Sequence, residues 1–368
     1  MMERLINFIL CMFVGLLSWA QLSELTVEQH LEDYDFAVKY VEDNYSGFHD
    51  KVMISTRDEY EALKSHLRSQ VSKGERPGWD AFAEYTAWFD DSHLSIHKSF
   101  TDDKGKRINW TDYYSKKKSI DYSSMEYGPV PVACKVTDKT FLIRFPSCGG
   151  NPNMKWILNS IKKFKKSHCE NLVIDIRGNG GGNDANWYPF LKLLYDHSAW
   201  RQGQEYRNTP QNIDYLLKEN WNGPGFAKHL KELSEQYPDR EFIGDSRGLY
   251  RCEKVDKTVK KAALLIDNRV ASSGEGMVTW LKACSNRLTV YGRDNTCGCI
   301  DHANVAGIAF KHYKVTFQMP MSRDPFLPLT AIDPTGIAPD VRIPLPLPAR
   351  LTDNIDEWVI WVAEQLEK

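Results

Sequence analysis

Apolar residues recur at three- and four-residue spacing through the first part of the chain, the period of an amphipathic helix. The pattern extends from Leu25 to about Phe89. It is clearest in VEQHLEDYDFAVKYVEDNY at 27–45 and in TRDEYEALKSHLRSQVSK at 56–73. These two stretches predict helices, so we expect an N-terminal helical domain over residues 21–90.

The rest of the chain alternates short apolar runs with helical patterns. FDDSHLSIH at 89–97 is typical of a turn leading into a strand, and residues from Lys98 to Tyr127 are polar and irregular. The predicted strands are VPVACKV (130–136), TFLIRFP (140–146), NLVIDIR (171–177), ALLIDNRV (263–270), LTVYG (288–292), IAFKHYKVTFQMP (308–320) and VRIPLP (341–346). The predicted helices are MKWILNSIKKFKKSH (154–168), segments between Trp187 and Tyr237, EGMVTWLKACSN (275–286) and the last dozen residues. This alternation predicts an α/β core domain over residues 91–368.

Charge and the first residues bear on partners and compartment. Lys plus Arg number 47 and Asp plus Glu 49, a net charge of -2, which gives no reason to expect a nucleic-acid partner. Arg4 precedes an apolar stretch at 5–20 that ends in the small-x-small pattern of a cleavage site. Residues 1–20 are therefore expected to be a signal peptide, with an uncleaved anchor as the alternative. No later segment is apolar enough to span a membrane, so we expect an exported protein, periplasmic or extracellular.

Seven cysteines follow the predicted signal peptide, and their spacing does not reveal any disulfide pairing. Cys297 and Cys299 form a CGC motif that could belong to a metal or redox site. No second CxC or histidine-rich partner with ligand spacing accompanies the motif, which favours a structural turn with ordinary thiols. No metal site is expected.

A glycine-rich loop follows one predicted strand, in VIDIRGNGGGND at 173–184. Glycines let the backbone approach a ligand closely, and the displayed N–H groups can hold negative charge. The Lys-Ser/Thr ending of a phosphate-binding P-loop is missing, and Asn183 stands where the third glycine of GxGxxG belongs. An oxyanion hole and a merely structural turn both remain open.

Two adjacent serines end another predicted strand, in ALLIDNRVASSGE at 263–275. A serine between a buried strand and a helix lies near the helix N-terminus, where the dipole favours an oxyanion. Ser272 is therefore a candidate nucleophile. The alternative is a helix N-cap, because Ser272 and Glu275 fit the capping-box pattern S-x-x-E.

The segment DDSHLSIH at 90–97 offers a candidate base. His93, flanked by acids and a serine, can accept a proton near neutral pH. A lone histidine can equally be a packed or solvent-facing residue.

Together these segments resemble the tail-specific, or C-terminal processing, serine peptidases, and among them the tricorn-core branch. NLVIDIRGNGGG is similar to the family's strand and glycine loop, LLIDNRVASSGE to its nucleophile turn, and DDSHLSI to its acid-x-His segment. TAIDPTGIAPDVRIP at 330–344 is similar to its near-terminal segment. The order and approximate spacing of all four agree. The resemblance covers nearly the whole chain from about Leu25 and implies a ClpP/crotonase-like α/β core.

The resemblance also implies roles for individual residues. Ser272 falls at the nucleophile position, and Ser273 would supply a backbone N–H to the oxyanion. Gly181 is the expected second oxyanion donor, with Gly180 and Gly182 beside it.

One branch of the family uses a lysine base in a segment like G-x-x-T-x-G-K. Here GRDNTCGC at 292–299 is one residue longer, and Cys299 stands where the lysine would be. The tricorn-like branch instead uses a histidine with a serine and an acid, which would be His93, Ser92 and Asp333. That branch usually has Glu where this chain has Asp333.

The family implies an exported serine peptidase that hydrolyses polypeptides through an acyl-enzyme and needs no cofactor. The segment from Leu94 to Val130 has only 37 residues, too few for the PDZ domain that many relatives insert there. Two alternatives stay open: a catalytically silent relative that binds peptides or small ligands, and a crotonase-like acyl-CoA enzyme. Export argues against the second, because it separates the protein from CoA pools.

Overall fold

A computed structural model describes residues 25–101, 107–115, 128–201, 203–244, 248–348, 350–351 and 355–368. The predicted signal peptide, residues 1–20, lies outside the described residues. Within the described ranges, no helix combines the length and the apolar character needed to cross a bilayer.

Four helices come first in the described chain, and strands and further helices follow. The helices are α1 (Val27–Asn44), α2 (Phe48–Lys51), α3 (Arg57–Ser72), α4 (Gly78–Trp88), α5 (Trp110–Tyr114), α6 (Met154–Lys166), α7 (Tyr188–Leu194), α8 (Pro210–Lys218), α9 (Pro224–Gln236), α10 (Ser273–Cys284) and α11 (Glu357–Glu367). The strands are β1 (Ser95–Ile96), β2 (Ser99–Thr101), β3 (Arg107–Asn109), β4 (Val132–Lys135), β5 (Thr140–Arg144), β6 (Asn171–Asp175), β7 (Ala199–Arg201), β8 (Glu205–Arg207), β9 (Phe242–Gly244), β10 (Gly248–Tyr250), β11 (Lys261–Leu265), β12 (Leu288–Gly292), β13 (His302–Ala309), β14 (Thr316–Arg323) and β15 (Val341–Arg342).

The chain divides into two compact units. The first comprises Met1–Lys117, Thr209–Glu219 and Val305–Met321; the second comprises Lys118–Asn208, Asn220–Asn304 and Ser322–Lys368. The boundary that the sequence predicts between residues 90 and 91 stays a prediction.

In the first unit, the predicted N-terminal helices are confirmed. Thr26 begins α1 with a capping box, because its hydroxyl accepts the N–H of Gln29 while the Gln29 side chain accepts the N–H of Thr26. Helices α1, α3 and α4 bury a cluster of aromatic rings that includes Tyr60, Tyr85 and Phe89. Burying these large apolar surfaces is the main stabilising contribution to this helical layer.

The polar stretch from Lys98 was predicted to be irregular, and for its described residues this prediction is wrong. Strands β2 and β3 pair as an antiparallel hairpin, and α5 follows. The Asn109 side chain caps α5 by accepting the N–H of Thr111 at 2.8 Å. Elements of three to five residues are too short to show a clear periodicity in the sequence.

The second unit is built on a six-stranded sheet in the order β15-β12-β11-β6-β5-β4. All neighbours are parallel except β4 and β5, which are antiparallel and correspond to two predicted strands. Alternate residues of β5 face opposite cores: Phe141 and Ile143 join α6, α7 and α10, whereas Leu142 joins α11. A sheet covered by helices on both faces explains why its strands read as continuous apolar runs.

A buried charge network connects this sheet to the C-terminal helix. Asp356 caps α11 and also accepts hydrogen bonds from Arg144 at 2.9 Å and Arg177 at 2.7 Å. Both arginines also bind Asp175 at 2.7 Å. Burial by itself would raise the pKa of Asp175, but the charges of Arg177 and Arg144 outweigh it and hold that pKa well below its ordinary range.

Replacing Asp356 should therefore destabilise the fold strongly. Asp356→Ala leaves two buried guanidinium groups short of a partner and removes the cap, so we expect a loss of about 3–5 kcal/mol in the free energy of unfolding. Urea unfolding at neutral pH measures this loss. Glu232→Ala, which breaks an exposed ion pair with Lys228 on α9, is the control and should leave the midpoint near wild type. Equal midpoints for the two variants would contradict the role given to the network.

Candidate active site

The two loops singled out in the sequence leave the sheet side by side. Strands β6 and β11 are parallel neighbours, with Asp175 opposite Leu265 at their ends. The glycine loop follows β6, and the serine turn follows β11. Both therefore emerge at the carboxyl edge of the sheet, where α/β proteins place their ligand sites.

Ser272 has a strained backbone at this edge. Its φ of 53° and ψ of -123° lie in a region that residues with a Cβ rarely occupy, and it directly precedes α10. Such a conformation costs about 1–3 kcal/mol and persists only where neighbouring groups enforce it. Here the Ser272 N–H donates to the Cys299 carbonyl at 3.0 Å, and the Ser272 carbonyl accepts the Gly276 N–H at 2.9 Å.

Glu275 is a buried carboxylate that fixes this turn. It accepts the Ser272 N–H at 3.2 Å, which is the Glu half of the predicted capping box. The same carboxylate accepts the Thr296 hydroxyl at 2.5 Å and the N–H groups of Gly298 at 2.7 Å and Cys299 at 2.8 Å. Burial raises the pKa of Glu275, although these hydrogen bonds favour its charged form. The backbone of the CGC motif thus helps to hold the Ser272 turn through Glu275.

The Ser273 hydroxyl is engaged by two side chains. Its Oγ donates to Asp184 Oδ1 at 2.6 Å and accepts from Trp187 Nε1 at 3.1 Å. Ser273 is buried, whereas Ser272 is only partly buried. The Ser273 N–H is the first of α10 and has no hydrogen-bond partner within the part of the chain that the structure describes. The Ser273 hydroxyl is thus occupied, whereas its N–H is available; the assignment of Ser272 as the nucleophile stays a prediction.

The glycine loop lies directly against Ser272. A Cβ on Gly181, whose φ is +99°, would come within 2.7 Å of the Ser272 Cβ, so only glycine fits. The Gly181 N–H donates to Asn179 Oδ1 at 3.0 Å. The N–H groups of Gly180 and Gly182 make no hydrogen bond with any described residue. The loop therefore offers unpaired donors beside the serine, with Gly182 and Gly180 more available than Gly181.

Asn179 connects the glycine loop to the segment after β5 and to the Ser272 turn, a role that the sequence analysis did not identify. Its Oδ1 also accepts the Cys148 N–H at 3.2 Å, and its Nδ2 donates to the Phe145 carbonyl at 2.9 Å. Its backbone carbonyl accepts the Ala271 N–H at 3.0 Å. The signal in the sequence was its place as the one non-glycine residue within 178–182.

Asp267 joins the two loops through a second buried side chain. Its Oδ1 accepts the N–H of Gly178 at 3.0 Å and of Arg269 at 3.1 Å, whereas Oδ2 is buried with no partner among the described residues. Burial raises the pKa of Asp267 to about 6. No motif in the sequence singles out this residue.

Asp333 lies in the near-terminal segment of the same unit. Its carboxylate accepts the N–H groups of Ile300 at 2.8 Å and Asp301 at 3.1 Å. In return, Asp301 accepts the N–H groups of Ile332 at 2.9 Å and Asp333 at 3.0 Å. This reciprocal pairing holds Asp333 on the residues that follow Cys299. A carboxylate has about four lone-pair sites, so it can accept a further donor.

Ser92 and His93 belong to the first unit. Ser92 is exposed and His93 is partly buried. The buried Asp91 fixes their turn, because its Oδ1 accepts the His93 N–H at 2.9 Å while Oδ2 accepts the Tyr45 hydroxyl at 2.5 Å. Sequence reasoning gave Asp91 and Tyr45 no role. The structure brings together Ser272, Ser273 and the glycine loop; the partnership of His93 with Ser272 stays a prediction.

Fold and site together define an α/β protein with the ClpP/crotonase-like core that the sequence predicted. The model of peptidase family S41 matches residues 139–343, more than half of the chain. The chain therefore belongs to peptidase family S41, a family of serine-type peptidases, and the resemblance stated above is confirmed. The matched range contains the glycine loop, Ser272 and Asp333, whereas Ser92 and His93 lie outside it.

Solved structures show the same fold at low sequence identity. Mature CPAF in complex with lactacystin has a TM-score of 0.60 and 12% identity, covering 93% of this chain and 97% of that chain. A putative peptidase from Parabacteroides merdae ATCC 43184 has a TM-score of 0.52 and 14% identity, covering 85% and 89%. At these identities the likeness concerns the fold alone.

One curated relative has a different description. The replication protein A 70 kDa DNA-binding subunit of Xenopus tropicalis is 28% identical over 105 residues, which cover 28% of this chain. The chain spans only 16% of that protein's length, so the similarity does not transfer its activity.

The strain at Ser272 predicts an unusual order of stability. Ser272→Gly should be about 1 kcal/mol more stable than Ser272→Ala, because glycine adopts this φ and ψ without a Cβ clash. Urea unfolding of both variants measures the difference. The matched control is exposed Ser65 within α3, where Gly should be about 1 kcal/mol less stable than Ala. The same order at both positions would show that Ser272 is unstrained.

The buried Asp267 predicts a pH dependence of stability. With a folded pKa of about 6, Asp267 keeps a proton between about pH 4 and 6 that the unfolded chain has released. Its contribution therefore falls as the pH rises through this window, by up to about 3 kcal/mol. Urea unfolding at several pH values should show wild type losing stability relative to Asp267→Asn by this amount. Parallel curves for the two proteins would contradict the prediction.

Proposed function

We propose that the protein is an exported serine peptidase that cleaves polypeptides through an acyl-enzyme formed on Ser272. The observation that carries this proposal is the strained backbone of Ser272 at a helix N-terminus. Ser272 lies in close contact with a glycine loop that has unpaired N–H groups. If Ser272 were only a helix N-cap, it would need neither a strained backbone nor a glycine loop beside it. The family membership supports the reaction class, and the predicted signal peptide supports export.

The oxyanion hole is proposed to consist of the Ser273 N–H and a glycine-loop N–H. When Ser272 Oγ attacks a peptide carbonyl, negative charge develops on the carbonyl oxygen, and donors positioned in advance stabilise it. Gly182 has an unpaired N–H, whereas that of Gly181 already donates to Asn179. We therefore favour Gly182 as the second donor and give Gly181 the role of allowing close approach. Each such donor contributes about 3–4 kcal/mol to transition-state stabilisation in comparable sites.

The base is proposed to be His93. It would take the proton of Ser272 Oγ during attack and return it to the leaving amine; the acyl-enzyme would then be hydrolysed by water. Ser92 and Asp333 would orient the imidazole and stabilise its charged form. Cys299 stands where the lysine branch has its base, which supports the tricorn-like scheme. The hydrogen bond from the His93 N–H to Asp91 holds the backbone of His93 in place, which supports its role as the base. This mechanism uses neither a metal nor an organic cofactor.

The test is labelling with a fluorophosphonate, combined with peptide hydrolysis. Wild type should be labelled at Ser272 alone. Ser272→Ala should lose labelling and hydrolysis, whereas His93→Ala should lose at least about 100-fold in rate, because general bases contribute 10²–10⁴-fold. Circular dichroism establishes that each variant is folded.

Exposed Ser65 and His66 on α3 provide matched controls, and their alanine variants should hydrolyse peptides at wild-type rates. Labelling at Ser273 would overturn the assignment of the nucleophile. Wild-type rates in folded His93→Ala would overturn the histidine scheme. A folded wild type that is neither labelled nor active would instead be the silent binding relative.

A further inference from the structure

A polar cleft of about 670 Å³ opens in the first unit. The segment between β1 and β2, the start of β2, the end of β3 and the turn into β14 contribute its walls. The lining residues are His97, Lys98, Ser99, Asn109, Lys314, Val315 and Thr316. Two lysines line the cleft, and no acidic side chain does so among the residues that the structure describes.

The Lys98 ammonium is partly buried and has no carboxylate partner in the described chain. Its Nζ lies 3.5 Å from the ring centroid of Trp79, a close cation–π contact. Asp80, the one carboxylate that favours its charge, is already bound by Arg76 at 2.7 Å and by the Tyr114 hydroxyl at 2.9 Å. Burial lowers the pKa of Lys98, and Asp80 only partly offsets this.

We propose that this cleft binds the oxyanion of a ligand, a carboxylate or a phosphate, between Lys98 and Lys314. A partly buried ammonium with no counterion is held in an unfavourable state, and an anion would restore the lost charge compensation. Charge-assisted hydrogen bonds from two ammonium groups are among the stronger polar contacts. The Thr316 hydroxyl adds a neutral donor at the same wall. This inference does not depend on the proposed peptidase activity.

The experiment follows the indole N–H resonance of Trp79 by NMR during titration, because the Lys98 ammonium lies on that ring. Trp79→Phe assigns the resonance. The probes are inorganic phosphate, N-acetylglycine as a carboxylate and N-acetylglycinamide as its uncharged match. At least one anion should shift the resonance saturably and the amide should not; which anion does so distinguishes carboxylate from phosphate.

Charge-removing variants localise the site. Lys98→Met and Lys314→Met keep the aliphatic stem and should each weaken anion binding by about 10-fold or more. Lys311→Met is the matched control, because Lys311 is in the same hairpin turn but lies near the Phe36 ring at 5.4 Å and does not line the cleft. Its affinity should equal that of wild type.

Lys314 is exposed, so its variant reports on the site even if Lys98→Met does not fold. The absence of any saturable shift in wild type would overturn the proposal. So would equal anion affinities for wild type and Lys314→Met, or an equal loss of affinity in Lys311→Met.

Discussion

The left-handed backbone of Ser272 is the constraint around which the carboxyl edge of the sheet is built. This conformation is unfavourable for serine, so several groups must hold it at once. The buried Glu275 does so by collecting the N–H of Ser272 together with donors from 296–299. The glycine loop then fits only because Gly181 lacks a Cβ. The turn therefore holds the Ser272 backbone in a fixed place beside a loop with unpaired N–H groups, as the proposed nucleophilic role requires.

The carboxyl edge of the sheet is held in place by strand pairing and by buried hydrogen bonds and ion pairs. The parallel pairing of β6 and β11 sets the spacing of the two loops, and Asn179 and Asp267 connect them through buried hydrogen bonds. Below, Asp175 and Asp356 pair with two buried arginines and attach the C-terminal helix to the same sheet. Removing a single partner from such a network leaves a buried charge uncompensated. The position of the candidate site therefore depends on the strand pairing and on the buried polar network of the second unit.

The proposed chemistry draws on both units of the chain. The second unit would supply the proposed nucleophile, the proposed oxyanion donors and Asp333, and it contains most of the range matched by peptidase family S41. The first unit supplies Ser92 and His93, on a turn that Asp91 fixes. It also carries the basic cleft around Lys98, which the peptidase mechanism does not use. The first unit thus carries both the proposed base and the proposed anion site.

The sequence by itself determined the longer elements, the α/β class, the family and the two loops, because each depends on local periodicity or on glycine and serine spacing. Only the tertiary structure decided which serine hydroxyl is engaged and which glycine N–H is unpaired. Asp184 and Trp187, at the end of the glycine-loop segment, form hydrogen bonds with the Ser273 hydroxyl, and Asn179 accepts the Gly181 N–H. The buried roles of Asp267, Asp91 and Glu275 and the cleft around Lys98 likewise arise from residues distant in sequence or from burial. Hydrogen-bond partnership and desolvation are properties of three-dimensional neighbours, and the order of residues along a chain does not specify them.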